Sequence, residues 1–329
     1  MGLEIPRHVL DIAEKIKSME IRGAGRIARS AAEAMKIAAV EYRGVADLKS
    51  FNQYIYRVAE ILLSTRPTAV SLPNAVFYIL TGLENTISVN DAREHVIRKA
   101  DEFIKMTLDA YDKISDFGAK RIKYNSTVLT HCHSTAALSI IIRAFKEGRI
   151  VKVYSTETRP LFQGRITART LLEHGIPTIQ IPDSAVRYVM HDVDHVVVGA
   201  DAVACNGAVV NKIGTSQIAL AAKEARVRLY VASETYKFSP ETAIGELIPI
   251  EERSPEEIVP RIWLSERKKI KIMNPVFDIT PPEYIDLIIT EIGIIPPQLA
   301  SYVLFEIYGW NLDKIKTRLM IKTIVEEED

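Results

Sequence analysis

The sequence predicts an α/β protein, an all-α helical domain over 1–120 followed over 121–329 by a doubly wound parallel-sheet domain. Three observations carry this. Apolar residues recur at helical spacing from Pro6 to about Phe117. After Gly118 they gather into short β-branched runs separated by helical segments. Hydrophobic residues make up 47% and charged residues 26% of 329 positions, the composition of a packed chain long enough for two cooperating regions.

In the first region, Val9, Ile12, Ile16 and Met19 share one helical face, as do Ile27, Ala31, Ala34 and Ala38. Leu48, Phe51, Ile55, Val58 and Leu62 mark a third helix, and Val96 through Tyr111 a fourth. Two interruptions read as turns carrying an arginine: Arg22-Gly23-Ala24-Gly25, and Arg66-Pro67-Thr68 with Pro73-Asn74. In the second region strands are expected near 128–132, 150–155, 178–181, 195–199, 229–232 and 287–290. Helices are expected over 135–145, 167–174, 185–190 and 213–225. The proline-rich stretch 234–282 reads as a long excursion before the last strand, and a closing helix is expected over 298–308.

Lys+Arg and Asp+Glu are both 42, so no global basic field exists for nucleic acid or an anionic membrane, and anion recognition must be local. No apolar run approaches the roughly 18 residues of a spanning helix. Two cysteines, Cys132 and Cys205, and an N-terminus without a signal-peptide pattern lead to the expectation of a reducing, cytoplasmic setting.

Ligands of an open parallel sheet bind beyond the carboxyl ends of its strands. The first strand ends at Thr130-His131-Cys132-His133-Ser134, where Ser134 can cap the next helix and the amides of Ser134, Thr135 and Ala136 can hold a phosphate. That helix terminus and nearby cations are expected to lower the Cys132 pKa and make a thiolate; a small buried residue at a strand end is the plainer alternative. His131 and His133 invite a zinc reading, but strand alternation separates them and no second ligand pair has metal spacing. Asp201 follows the fourth strand, placed for acid or base work or, alternatively, to cap a turn. Asn211 and Lys212 beside the next helix suit an anion, and Lys237 brings a cation to the same edge, although a lone surface lysine is usually only solvated. Arg22 and Arg66 could give bidentate phosphate contacts.

Together, Arg22-Gly23-Ala24-Gly25, Thr65-Arg66-Pro67-Thr68-Ala69-Val70, Glu157-Thr158-Arg159-Pro160, Gly199-Ala200-Asp201 and Asn211-Lys212-Ile213-Gly214-Thr215 resemble one family across nearly the whole chain. It unites the regulatory subunits of translation initiation factor 2B with two sugar-phosphate isomerases. The segments His131–Ser134, Ser233–Lys237, Asn274-Pro275 and Asp278–Pro282 look most like its archaeal branch that converts α-D-ribose 1,5-bisphosphate to D-ribulose 1,5-bisphosphate in nucleotide (AMP) salvage.

The resemblance implies a Rossmann-like second domain, a hexamer assembled as a trimer of dimers, a sugar bisphosphate as partner, and no metal or other cofactor. It further implies that Cys132 as thiolate takes the C2 proton while protonated Asp201 donates to the ring oxygen. Arg22, Gly23, Ala24, Gly25, Arg66, Ser134, Thr135 and Ala136 then serve one phosphate region, and Asn211, Lys212 and Lys237 the other. One departure stands out: the family's isomerases carry a lysine where this chain has Thr135. Two rivals stay open, an isomerase of methylthioribose 1-phosphate and a regulatory subunit without catalysis. The turns around Gly25 and the proline-rich excursion are candidates for a closing lid.

Overall fold

The computed structural model describes residues 4–66, 68–260, 262, 270–307, 310, 314 and 315. Two compact units divide them: one holds residues up to Asp109 with Trp310, Lys314 and Ile315, the other those from Ala110 to Ile307.

The first unit is helical: α1 (Arg7–Lys17), α2 (Ala24–Glu41), α3 (Leu48–Thr65), α4 (Ser71–Leu80) and the start of α5 (Val89–Ala119). Alanines 28, 31, 32, 34, 38 and 39 of α2 are all buried, so neighbouring helices approach closely along its length. Asp47 caps α3 by accepting from the Ser50 amide at 2.9 Å. The turn expected at Pro73-Asn74 is instead the first turn of α4. Proline is tolerated there because an amide in a helix's first turn has no intrahelical partner to lose. Likewise the arginine-bearing turn closes at Gly23 (φ 89°), and Ala24 and Gly25 already belong to α2. The helices that follow the two turns meet at their first residues: the Ser71 hydroxyl of α4 donates to the Ala24 carbonyl of α2 at 2.9 Å.

The second unit carries β1 (Ser126–Thr130), α6 (Thr135–Lys146), β2 (Ile150–Thr156), α7 (Gln163–Glu173), β3 (Thr178–Ile181), α8 (Val186–Val189), β4 (His195–Gly199), β5 (Ala202–Ala204), β6 (Val209–Lys212), α9 (Thr215–Ala225), β7 (Arg228–Ala232), β8 (Phe238–Ser239), β9 (Phe277–Thr280), β10 (Leu287–Thr290) and β11 (Gly293–Ile295). Seven strands form one sheet in the order β11-β10-β7-β4-β1-β2-β3, parallel except for β11. Central strands β1 and β4 are buried throughout, as helices on both faces require, with Val128-Leu129 and Val196-Val197-Val198 at their centres. Val128, Ile140, Ile141, Val153, Val197, Tyr230 and Ile289 fill the core around them.

A second sheet, β8-β5-β6-β9, was not foreseen. Two of its strands, β8 and β9, lie inside the stretch expected to be a long excursion, and the other two have only three and four residues. Short strands of this kind carry too few alternations to stand out from turns. The expected closing helix begins as Ala300–Tyr302 and widens into a π-type turn over Val303–Ile307; Tyr308 lies outside the described residues.

Candidate active site

Strand order reverses between β1 and β4, where chain connections lead away on either side and open a crevice at the strands' carboxyl ends. Leu129 pairs with Val196, so β1 and β4 run side by side into this crevice, Cys132 lying two residues past the end of β1 and Asp201 two past the end of β4. The sequence thus brings Cys132 and Asp201 to the two walls of this crevice.

Cys132 adopts a left-handed backbone (φ 67°), uncommon for a residue with a Cβ and concentrated at functional sites. Its thiol departs from expectation. Burial pushes it up to about 11, Lys212 pulling it down and Asp201 pushing it further up. The Ser134 hydroxyl caps α6, accepting from the Ala137 amide at 3.3 Å. Thr135 is exposed and Ala136 buried at the start of α6.

Asp201 anchors its backbone on β6, its amide donating to the Val210 carbonyl at 2.9 Å. Its charge acts on Cys132 and on Lys237 alike, so the three belong to one electrostatic cluster. Asn211 and Lys212 end β6, buried to 4% and 7% exposure. The Asn211 amide donates to the Thr215 hydroxyl at 3.0 Å. Lys212 Nζ lies 4.9 Å from the Phe277 ring centroid and forms no ion pair with a described carboxylate. A buried ammonium in that condition is suited to an anionic ligand. Lys237, by contrast, is ion-paired with Glu234 at 2.7 Å.

The N-terminus of α9, expected to help hold an anion, is taken by the protein itself. Asp278 Oδ2 accepts from the Gly214 and Ser216 amides at 2.7 and 3.0 Å. Arg22, which is exposed, and Arg66, which is half-buried, sit in the first unit with Gly23, Ala24 and Gly25.

His131 and His133 entered the sequence reading only as zinc candidates, and Asp183 did not enter it at all. His131 is buried, its Nε2 2.9 Å from the Ile213 carbonyl and Nδ1 2.6 Å from Thr156 Oγ1; burial holds it below the usual imidazole range. His133 is exposed and turned to Thr167 Oγ1 at 3.0 Å, so the two histidines do separate work. Among the described residues no group of three His, Cys, Asp or Glu side chains is placed to hold a metal. Asp183 accepts from the Thr158 and Arg159 amides at 2.8 and 2.7 Å. A carboxylate just past the end of the third strand was the available signal.

A family profile described as "Initiation factor 2 subunit family" matches residues 20–297. The chain is 54% identical to the ribose 1,5-bisphosphate isomerase of Methanocaldococcus jannaschii, over 90% of this chain and 94% of that one. It is 39% identical to the methylthioribose-1-phosphate isomerase of Carboxydothermus hydrogenoformans, over 87% of each. The solved structure of the Pyrococcus horikoshii translation initiation factor eIF-2B superposes with a TM-score of 0.75 at 32% identity, over 89% of this chain and 98% of that one. On the profile match over residues 20–297 and these likenesses, the chain belongs to the initiation factor 2 subunit family.

Proposed function

We propose that this chain is an aldose–ketose isomerase that converts α-D-ribose 1,5-bisphosphate to D-ribulose 1,5-bisphosphate. The identity of 54% to an isomerase of that name supports the substrate. The observation that carries the chemistry is the crevice itself: a cysteine and a carboxylate on its two walls, with a buried lysine acting on the thiol.

The reaction needs an acid at the ring oxygen and a base at C2. Asp201 as carboxylic acid gives its proton to the ring oxygen as the C1–O bond breaks, and Cys132 as thiolate takes the C2 proton, leaving a C1–C2 enol. Collapse to the ketone returns the C2 hydroxyl proton to Asp201 and delivers the thiol proton to C1, so both groups end as they began. A proton on Asp201 removes its push on the thiol and leaves Lys212 as the larger of the charges still acting on the sulfur, ahead of Asp183, which favours this pairing of states.

Lys212 and Asn211, with Lys237, are assigned to one substrate phosphate. The first amides of α6 at Ser134, Thr135 and Ala136 are assigned to the other, and Arg22 to Gly25 with Arg66 keep, within the first unit, the anion-binding role read for their turns. The same reading includes a hexamer built as a trimer of dimers, a cytoplasmic setting and a place in nucleotide salvage.

The test is turnover of α-ribose 1,5-bisphosphate by the purified protein, beside methylthioribose 1-phosphate and beside Cys132→Ser and Asp201→Asn. Turnover of the bisphosphate alone, lost in both variants, is the expected result. Turnover of methylthioribose 1-phosphate instead would move the assignment to that isomerase, and inactivity on both sugars would leave the regulatory reading.

A further inference from the structure

Both polar backbone groups of Cys132 are held by threonine hydroxyls. Its amide donates to Thr158 Oγ1 at 2.9 Å, and its carbonyl accepts from Thr167 Oγ1 at 2.7 Å. Thr158 and Thr167 are buried to 0% and 1% exposure, so no water competes for these bonds.

The hydrogens behind the clamp run in one direction. A carbonyl only accepts, so His131 Nε2 must donate to Ile213, leaving Nδ1 to accept from Thr156 Oγ1. With its single hydrogen spent there, Thr156 accepts from Thr158 Oγ1 at 3.2 Å. Thr167, whose hydrogen goes to Cys132, accepts in turn from His133 Nδ1.

Thr158 is itself left-handed (φ 59°), and the carboxylate of Asp183 fixes its amide and the next. Thr167 reaches Cys132 because α7 starts against the end of β2. A Cβ on Gly164 would lie 1.7 Å from the Thr156 carbonyl oxygen, so only glycine permits that approach.

We propose that Thr158 and Thr167 are positioning residues for the isomerisation, a pair of hydroxyls that fixes the Cys132 peptide in its left-handed form and thereby aims the thiol at the substrate. The inference rests on the assignment of Cys132 above. The polarity of the clamp, and not the volume of the threonines, is what it uses.

Thr158→Val and Thr167→Val keep the shape and remove the hydroxyl, whereas Thr158→Ser and Thr167→Ser keep the hydroxyl. Each valine variant is expected to lower kcat on ribose 1,5-bisphosphate by about ten- to a hundredfold, the scale of a misaligned reacting group, with KM changed less than about twofold. Each serine variant recovers most of the loss. Iodoacetamide should meanwhile alkylate Cys132 faster in the valine variants as the thiol leaves its buried setting, so reactivity and turnover move oppositely. If a valine variant does not fold by circular dichroism, the alanine variant at that position is measured against the same serine variant. Wild-type kcat in the valine or alanine variants, with Cys132→Ser inactive, overturns the clamp; so does failure of serine to recover turnover. Full activity of Cys132→Ser strikes the assignment of the cysteine itself.

Discussion

Lys237 Nζ lies 2.7 Å from Glu234 Oε2, with the two side chains 8% and 2% exposed. Burial alone would drive Glu234 up and Lys237 down. Their mutual attraction and hydrogen bond override it, holding Glu234 below the usual carboxyl range and Lys237 above the usual ammonium range. Lys237, assigned above to a substrate phosphate, is therefore also half of a buried ion pair.

Lys237→Met leaves the Glu234 carboxylate buried with the Tyr236 hydroxyl at 3.0 Å. Breaking such a pair costs about 3–5 kcal/mol. In the native protein the depressed Glu234 lends stability above its unfolded value of 4.5, lost only as pH falls through the lower folded one. Without Lys237 burial raises Glu234, so the penalty is full at neutral pH and fades as acid protonates it. Urea midpoints should show a gap between wild type and variant that narrows near pH 4.5; a gap independent of pH would contradict the pairing.

Cys132 is pushed up to about 11 by opposed influences, burial first, then the pull of Lys212 and the push of Asp201. In a Cys205→Ser background, alkylation by iodoacetamide against pH reports that midpoint directly. Asp201→Asn should lower it and Lys212→Met should raise it. Shifts of the same sign in both variants would show that the two charges do not act on the thiol as the geometry requires.

The parts of the fold that repeat were legible in the sequence. Val196, Val197 and Val198 announce a fully buried strand, and the alternation of such runs with helical segments announces a parallel sheet, whose switch point then selects Cys132 and Asp201. What stayed hidden was set by partners distant in sequence. Val209 pairs with Thr280 across a stretch of prolines, so neither segment carries the sheet alone. The Cys132 pKa turned on burial, which no local pattern reports. Asp278 stands in a segment that carries the family resemblance, yet its bond to the Gly214 amide spans 64 residues.

Asp278 is raised to about 6 by burial, against bonds from the Ser216 and Gly214 amides that favour its charged form. A carboxyl with a folded value above its unfolded 3.8 lends stability below that value, lost as pH rises through about 6. Asp278→Asn keeps an acceptor for both amides and removes the buried charge. Above pH 6 the variant should be more stable by roughly 1–3 kcal/mol, the upper figure being the full shift and the lower allowing for a donor placed where Oδ1 lacks a partner. Below pH 4 the advantage should vanish. Unfolding by urea across this range checks both limits, and a variant less stable at every pH would show that the carboxylate is needed as a helix cap.

Gly199 ends β4 where a Cβ would lie 2.3 Å from the Ser134 hydroxyl and 2.5 Å from its Cβ, so one glycine makes room for the cap of α6. Gly199→Ala should cost about 2 kcal/mol through overpacking between two elements that cannot part without opening the crevice. Ser134→Gly removes the obstacle and forfeits the cap, worth only a few tenths of a kcal/mol against glycine. The double variant should therefore be more stable than Gly199→Ala alone, a coupling well beyond the roughly 0.5 kcal/mol within which independent sites add. Additive costs in urea unfolding would mean that the alanine is accommodated elsewhere, and that β4 and the start of α6 are not held at the spacing on which the opposition of Cys132 and Asp201 depends.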